Sequence, residues 1–128
     1  MSEPRWISAD FVIELNRRLV EISGEPFLLR DEGLLESALA VPRNRWHYEQ
    51  IEDLPQLGLG LAIAIGKNHP FGQGNKRTAW AAMLAFFAAN GLALLEEDAV
   101  AHADMFIAVI TDGLPADELL AAMTIDGL

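Results

Sequence analysis

The sequence predicts an all-α chain folded as a compact bundle of about six helices. Three observations carry that expectation. Alanine is abundant and apolar residues recur at helical spacing. Val, Ile and Thr do not gather into the alternating runs that strands require. Helix-length stretches are closed by Ser-Gly, Asn-Gly or Pro. The 128 residues fit a single domain, 1–128, and a hydrophobic fraction of 52% is ample to build its core.

Taken in order, Ser8 is the N-cap of a first helix reaching about Ile22. Phe11, Leu15, Leu19 and Ile22 would be its inner stripe, and Ser23-Gly24 its end. Residues 26–30 form a loop. Asp31, Glu32 and Gly33 lead into a short helix with Leu34, Leu35, Ala38 and Leu39 inward. It should stop before Pro42, because proline disfavours helical backbone at the residue before it. Residues 42–52 have no clear period and are expected as an extended flap holding Arg43, Arg45, Trp46, His47 and Tyr48. Asp53, with Pro55 in the first turn, opens a helix through about Lys67. From Asn75 to Ala89 the pattern is apolar nearly all round, which places that helix at the centre of the bundle. Asn90-Gly91 stops it. Glu96, Glu97 and Asp98 then start a helix ending near Asp112, with Met105, Phe106, Val109 and Ile110 as its core face. A last short helix, 116–123, follows Gly113-Leu114-Pro115.

The charge map singles out one region. The chain has 19 acidic and 9 basic residues, net −10, yet no Asp or Glu lies between Asp53 and Glu96. Lys67, Lys76 and Arg77 all fall in that gap. An acidic chain disfavours nucleic acid and anionic membrane as partners, whereas a local cationic spot suits a small phosphorylated ligand. No Cys is present, so disulfides and thiolate metal sites are excluded. The apolar stretch 57–65 is too short to span a bilayer, and the first residues do not read as a signal peptide. The expected location is the cytoplasm.

Within the gap runs His69-Pro70-Phe71-Gly72-Gln73-Gly74-Asn75-Lys76-Arg77-Thr78-Ala79, a polar loop feeding a buried helix. A helix start offers unpaired backbone N–H groups and the positive end of the dipole, so an anion can sit there. Lys76 and Arg77 in the first turn oppose that dipole at a cost of roughly 0.3–1 kcal/mol each unless something negative is bound. Gly72 and Gly74 would let backbone approach a phosphate closely. Asn75 is the expected N-cap, Phe71 an anchor in the core, and His69 a candidate proton acceptor beside the anion. Blander readings exist for each. Lys76 and Arg77 can be solvated surface charges, the glycines simple turn residues, and Lys67 a complement to the dipole of its own helix. His47 and His102 have no partner pattern and read as structural or surface residues. Trp46 and Tyr48 are either a partner patch or a flap anchor.

The same residues resemble the signature of the Fic/Doc (Fido) superfamily, His-Pro-Phe-x-acid-Gly-Asn-Gly-Arg. His69-Pro70-Phe71-x-x-Gly74-Asn75-Lys76-Arg77 follows the Doc branch, which has Lys in place of the last Gly. The run from Arg30-Asp31-Glu32-Gly33-Leu34-Leu35 to Val41-Pro42 is similar to the family's segment before the flap, so the likeness covers nearly the whole chain. It implies the Fido fold, with a short flap at 42–52 and a catalytic loop between two central helices. His69 would take the proton from a target hydroxyl, and Lys76 would fill the space that a Fic enzyme leaves open, turning ATP so that its terminal phosphate is transferred. Arg77 would hold phosphate. Lys67, Phe71, Gly72, Gly74 and Asn75 would make up the nucleotide and phosphate site. ATP and Mg²⁺ are the implied cofactors. The implied function is a toxin of a type II toxin-antitoxin system that modifies elongation factor Tu, blocks translation, and is neutralised by a Phd-like antitoxin.

One position departs from the pattern. The family has an acid that binds Mg²⁺ where this chain has Gln73, and a neutral amide oxygen is a weaker ligand for a hard cation. No acid nearby in the sequence replaces it. Three readings follow: a Doc-type kinase toxin, a Fic-type adenylyltransferase, or a catalytically impaired module that only binds its antitoxin. Self-restraining Fic proteins carry Ser/Thr-x-x-x-Glu, and no Ser or Thr here has Glu four residues on, so regulation is expected from a separate protein.

Overall fold

A computed structural model describes residues 2–95 and 99–128. In chain order its elements are α1 (Ala9–Ile22), α2 (Glu32–Tyr48), α3 (Leu54–Asn68), α4 (Asn75–Ala89), β1 (Ala93–Leu95), α5 (Ala99–Thr111), α6 (Ala116–Ala122) and β2 (Thr124–Asp126). The all-α expectation therefore holds, with one small strand pair added.

Ser8 caps α1, its side chain accepting a 3.2 Å hydrogen bond from the Phe11 N–H. The buried stripe of α1 is Val12, Asn16 and Val20, not Phe11, Leu15, Leu19 and Ile22. Phe11 is 45% and Ile22 84% exposed. The reason is Asn16, a fully buried polar residue at the middle of the inner face. A stripe read from apolar residues alone steps around it and comes out rotated.

Asp31 caps α2 by accepting from Leu34 N–H at 3.0 Å. This helix does not stop before Pro42; it runs through it to Tyr48, and 42–52 is not an extended flap. An interior proline loses one helical hydrogen bond and costs about 3 kcal/mol. Here Pro42 is buried on the same face as Leu35, Ala38 and Leu39, so its ring gains burial that offsets part of that cost. The end comes where Arg45 O accepts from both Glu49 and Ile51 N–H at 3.1 Å.

Asp53 stands at the N-cap position of α3 with Pro55 in the first turn, but its carboxylate bonds Gln56 Nε2 at 2.8 Å rather than the backbone. The core lies chiefly between α3 and α4. Leu57, Leu61, Ala62 and Ile65 meet Ala79, Ala82, Met83, Phe86 and Phe87, all fully or nearly fully buried. Gly58 sets the closeness of that packing, since a Cβ there would collide with the Phe87 ring. α4 is thus the central helix, as its all-round apolar pattern predicts.

α5 adds Phe106 and Val109 to the core, with Met105 and Ile110 half-buried. The expected acidic start at Glu96, Glu97 and Asp98 lies outside the described residues. β1 and β2 pair antiparallel, Ala93 with Asp126, Leu94 with Ile125 and Leu95 with Thr124, which ties the C-terminal segment to the end of α4. Strands of three residues are too short to leave a readable period in a sequence. Among the described residues no helix is long and apolar enough to cross a membrane.

Candidate functional site

α3 ends on His69, which has left-handed backbone, φ 50° and ψ 55°. Histidine visits that region more readily than bulky residues do, but it is still held there by its surroundings. Arg30 supplies the hold, its Nε and Nη2 donating to His69 O at 3.1 and 2.8 Å. Pro70 O accepts from Arg30 and Asp31 N–H at 2.8 and 3.1 Å, and Gly72 N–H donates to Leu28 O at 2.9 Å. Leu29 and Phe71 form an antiparallel bridge in the middle of this ladder. The extended strip beside the motif loop is therefore 28–31, upstream of α2, where the sequence reading placed only a loop.

The loop is fixed from within as well. The Phe71 side chain is buried and packs against Phe27, ring centroids 6.5 Å apart. Asn75 is not the N-cap of α4. That position belongs to Gly74, whose φ of 72° suits a residue without Cβ. The Asn75 amide instead clamps Phe71, accepting from its N–H at 3.0 Å and donating to its C=O at 2.9 Å. From below, Asn16 Nδ2 donates to Gln73 O at 2.8 Å and to Thr78 Oγ1 at 3.0 Å. With so many backbone groups tied, the first-turn N–H groups of α4 are held facing one place.

That place is a cleft of about 290 Å³ lined by His69, Gly72, Gln73, Gly74, Asn75, Lys76 and Arg77, together with Glu25. The structure thus brings together most of the residues picked out from the sequence. Phe71 serves as the anchor of the loop, its side chain shielded from the cleft. Lys67 is exposed in the last turn of α3 and is not part of the cleft lining.

Glu25 is the residue that sequence reasoning missed. It comes from the turn after α1, far from the motif in the chain, and no spacing rule points to it. Arg77 Nη1 donates to Ser23 Oγ at 3.0 Å, and Arg77 Nη2 pairs with the Glu25 carboxylate. Ser23 Oγ–H donates to the same carboxylate. These contacts, the Ser23 hydrogen bond first and Arg77 second, hold the Glu25 pKa below its ordinary value. The acid gap in the sequence is therefore not an acid gap in space.

Other histidines behave as structural or surface groups. His47 Nε2 lies 2.7 Å from Glu3 Oε1, and His102 is buried with Nε2 3.2 Å from Ala122 O. Trp46 is half-buried and Tyr48 is 79% exposed at the end of α2. Among the described residues no group of three or more His, Cys, Asp or Glu is placed to hold a metal. Gln73 offers a neutral amide oxygen at the cleft and the Glu25 carboxylate is engaged by Arg77 and Ser23, so a magnesium ion there would keep most of its ligands as phosphate oxygens and water.

The cleft is thus a glycine-turned helix start carrying two cations, with a histidine at its mouth, on a helical scaffold. The chain belongs to the Fic/DOC family, whose pattern it matches over residues 6–87. It is 33% identical over 104 residues to a protein of Mycolicibacterium smegmatis named Toxin Doc, covering 78% of each chain. It is also 29% identical over 97 residues to Protein kinase doc of Escherichia phage P1, covering 76% of this chain and 77% of that one.

Proposed function

We propose that this protein is a Doc-type toxin that transfers the terminal phosphate of ATP to a hydroxyl of elongation factor Tu and so blocks translation in the cytoplasm. The observation that carries this reading is Lys76 in the cleft beside Arg77 and His69, at the position where the Doc pattern has its lysine. The names of the two relatives, a toxin and a protein kinase, point the same way.

The residues divide the work as follows. First-turn N–H groups of α4, with Lys76 and Arg77, hold the phosphates and offset charge at the transferred group. Arg77 must first leave the Glu25 carboxylate. His69 accepts the proton of the target hydroxyl as its oxygen bonds the γ-phosphorus. The bond from that phosphorus to the bridging oxygen breaks, and ADP leaves with the electron pair. Magnesium, when bound, neutralises charge across the phosphates. The Arg30 hydrogen bonds keep the turn at His69 from drifting as the proton moves.

Incubation with elongation factor Tu and ATP, labelled in separate runs at the γ- or the α-phosphate, tests the reading. Transfer of γ-label supports it. Transfer of α-label would make the chain an adenylyltransferase, which Lys76 disfavours. No transfer of either label would favour an impaired module that only binds its antitoxin, and Gln73 is the residue that speaks for that outcome. Restraint by a Phd-like antitoxin belongs to the same proposal.

A further inference from the structure

The cationic cleft has a hydroxyl at its edge that transfer to a target does not use. Ser23 closes α1 at its C-terminal end and is exposed. Gly24 follows with a φ of 74°, so the chain turns sharply there and carries Glu25 into the cleft lining. Arg77 bridges the two ends of that turn. Its Nη1 donates to Ser23 Oγ at 3.0 Å, and its Nη2 pairs with the Glu25 carboxylate. Leu19 O at 3.3 Å, Val20 O at 3.2 Å and Glu25 Oε1 all lie within reach of the Ser23 hydroxyl proton. Glu25 Oε1 is the nearest of them and the one that carries charge. A serine oxygen is thus held between a guanidinium and a carboxylate. Thr78 in α4 also carries a hydroxyl near the motif loop, but it is fully buried and accepts from Asn16.

We propose that Ser23 is an internal phosphoryl acceptor, so that the chain phosphorylates itself as well as a target; this rests on the ATP-dependent transfer proposed above. Arg77 supplies the geometry. When its Nη2 turns from Glu25 to a phosphate oxygen, its Nη1 can stay on Ser23, and one planar fork then holds acceptor and phosphoryl group side by side. The Ser23 oxygen forms its bond to the γ-phosphorus as the bond to the bridging oxygen breaks, and ADP leaves with that electron pair. The Ser23 proton passes to the Glu25 carboxylate that it already faces. Glu25 is a weak base, since Ser23 and Arg77 hold its pKa below the ordinary value, but a loose phosphoryl-transfer transition state asks little of its base. No step of this route uses His69. The product is a group of charge about −1.5 to −2 at pH 7 beside Arg77, a stronger competitor than a single carboxylate. It draws the guanidinium out of the cleft, so a modified chain holds phosphate less well.

Incubation of the full chain with γ-labelled ATP and magnesium, with and without elongation factor Tu, tests this. Label should appear on the chain by itself, at a rate per chain that does not depend on protein concentration. Mass spectrometry should place it in the peptide that holds Ser23. Ser23→Ala should lose the label and Ser23→Thr should keep it. His69→Ala should stop transfer to elongation factor Tu and still label Ser23. Calorimetry adds a readout without turnover: a chain carrying phosphoserine at position 23 should bind inorganic triphosphate at least about tenfold more weakly than the parent. Labelled elongation factor Tu beside an unlabelled chain overturns the proposal and leaves the kinase reading standing. Label that persists in Ser23→Ala, label that vanishes from Ser23 in His69→Ala, or a rate that rises with chain concentration overturns it too. So does parental triphosphate affinity in the phosphorylated chain, because the added group then never reaches Arg77. Label on Ser23 with none on elongation factor Tu supports the proposal and sinks the choice of target, whereas label on neither sinks the phosphotransfer reading and this one together.

Discussion

His69 is set by backbone as much as by chemistry. Its left-handed turn is held by Arg30, and its ring is left exposed at the mouth of the cleft. His69→Ala should therefore abolish growth arrest while circular dichroism and the melting curve stay close to the parent, since a positioned base contributes about 10²–10⁴ in rate. Arrest by the mutant at the parent's level would remove His69 from the mechanism. Gln73 tests the metal. Gln73→Asp restores a charged hard ligand and should raise phosphotransfer and lower the Mg²⁺ concentration needed for it. An unchanged rate at saturating Mg²⁺ would show that the amide is not limiting. Glu25 tests the electrostatics. Its folded pKa lies below 4.5, so its pairing stabilises the fold above that pH, and the contribution is lost as pH falls through the folded value. Glu25→Gln should thus be slightly less stable than the parent at neutral pH, with the gap closing below about 4.5. It should also bind inorganic phosphate more tightly, because Arg77 is no longer engaged. Chemical denaturation across pH and phosphate titration read the two effects, and tighter phosphate binding by the parent than by the variant would refute the second. The motif residues were legible because they are contiguous and share one loop. Glu25 was not, because it reaches the cleft only through the turn that α1 makes before the strip 28–31.

At the scale of elements, Asn16 explains why α1 was misread and why the loop is rigid. An apolar period assigns a polar residue to the outside, yet here its Nδ2 crosses from α1 to Gln73 O and Thr78 Oγ1. Asn16→Ala leaves those acceptors buried or half-buried without their donor, at a cost of about 1–3 kcal/mol. Urea denaturation should show that loss, and anion binding should weaken in parallel because the loop loses its support. Asn16→Leu should not rescue it, since a larger apolar group supplies no donor. A stable Asn16→Ala chain with normal phosphate binding would mean that Asn75 and Arg30 hold the loop unaided. Pro42 teaches the opposite lesson. A local rule ended α2 at the proline, and packing overrode it, because the ring lies on the buried face with Leu35, Ala38 and Leu39. The cap at Ser8 and the stop after Ala89 were readable because each is a backbone need met by a neighbour in sequence. The β1–β2 pair was not, because its partners are far apart and its strands carry only three residues each.

Across the whole molecule, net charge of −10 surrounds a site built from cations. That distribution bears on how the protein is restrained. No Ser or Thr is followed four residues later by Glu, so the self-inhibiting helix of some Fic proteins has no counterpart in this sequence. The Glu25 carboxylate does engage Arg77, but from an exposed turn where solvent screens the pair, and a multiply charged phosphate competes well against one screened carboxylate. An internal contact of that kind would tune anion affinity without shutting the site. Restraint by a second protein belongs to the toxin function proposed above, and an acidic surface would favour one whose contacting segment is basic at its rim. Expression of the chain alone should arrest growth, and co-expression with its genomic neighbour should restore it. Glu25→Gln should arrest growth at a lower expression level than the parent and still be rescued by the neighbour. A lone chain that is harmless with His69 intact, and that becomes toxic only as Glu25→Gln, would place the restraint inside the molecule and overturn the argument for a separate inhibitor.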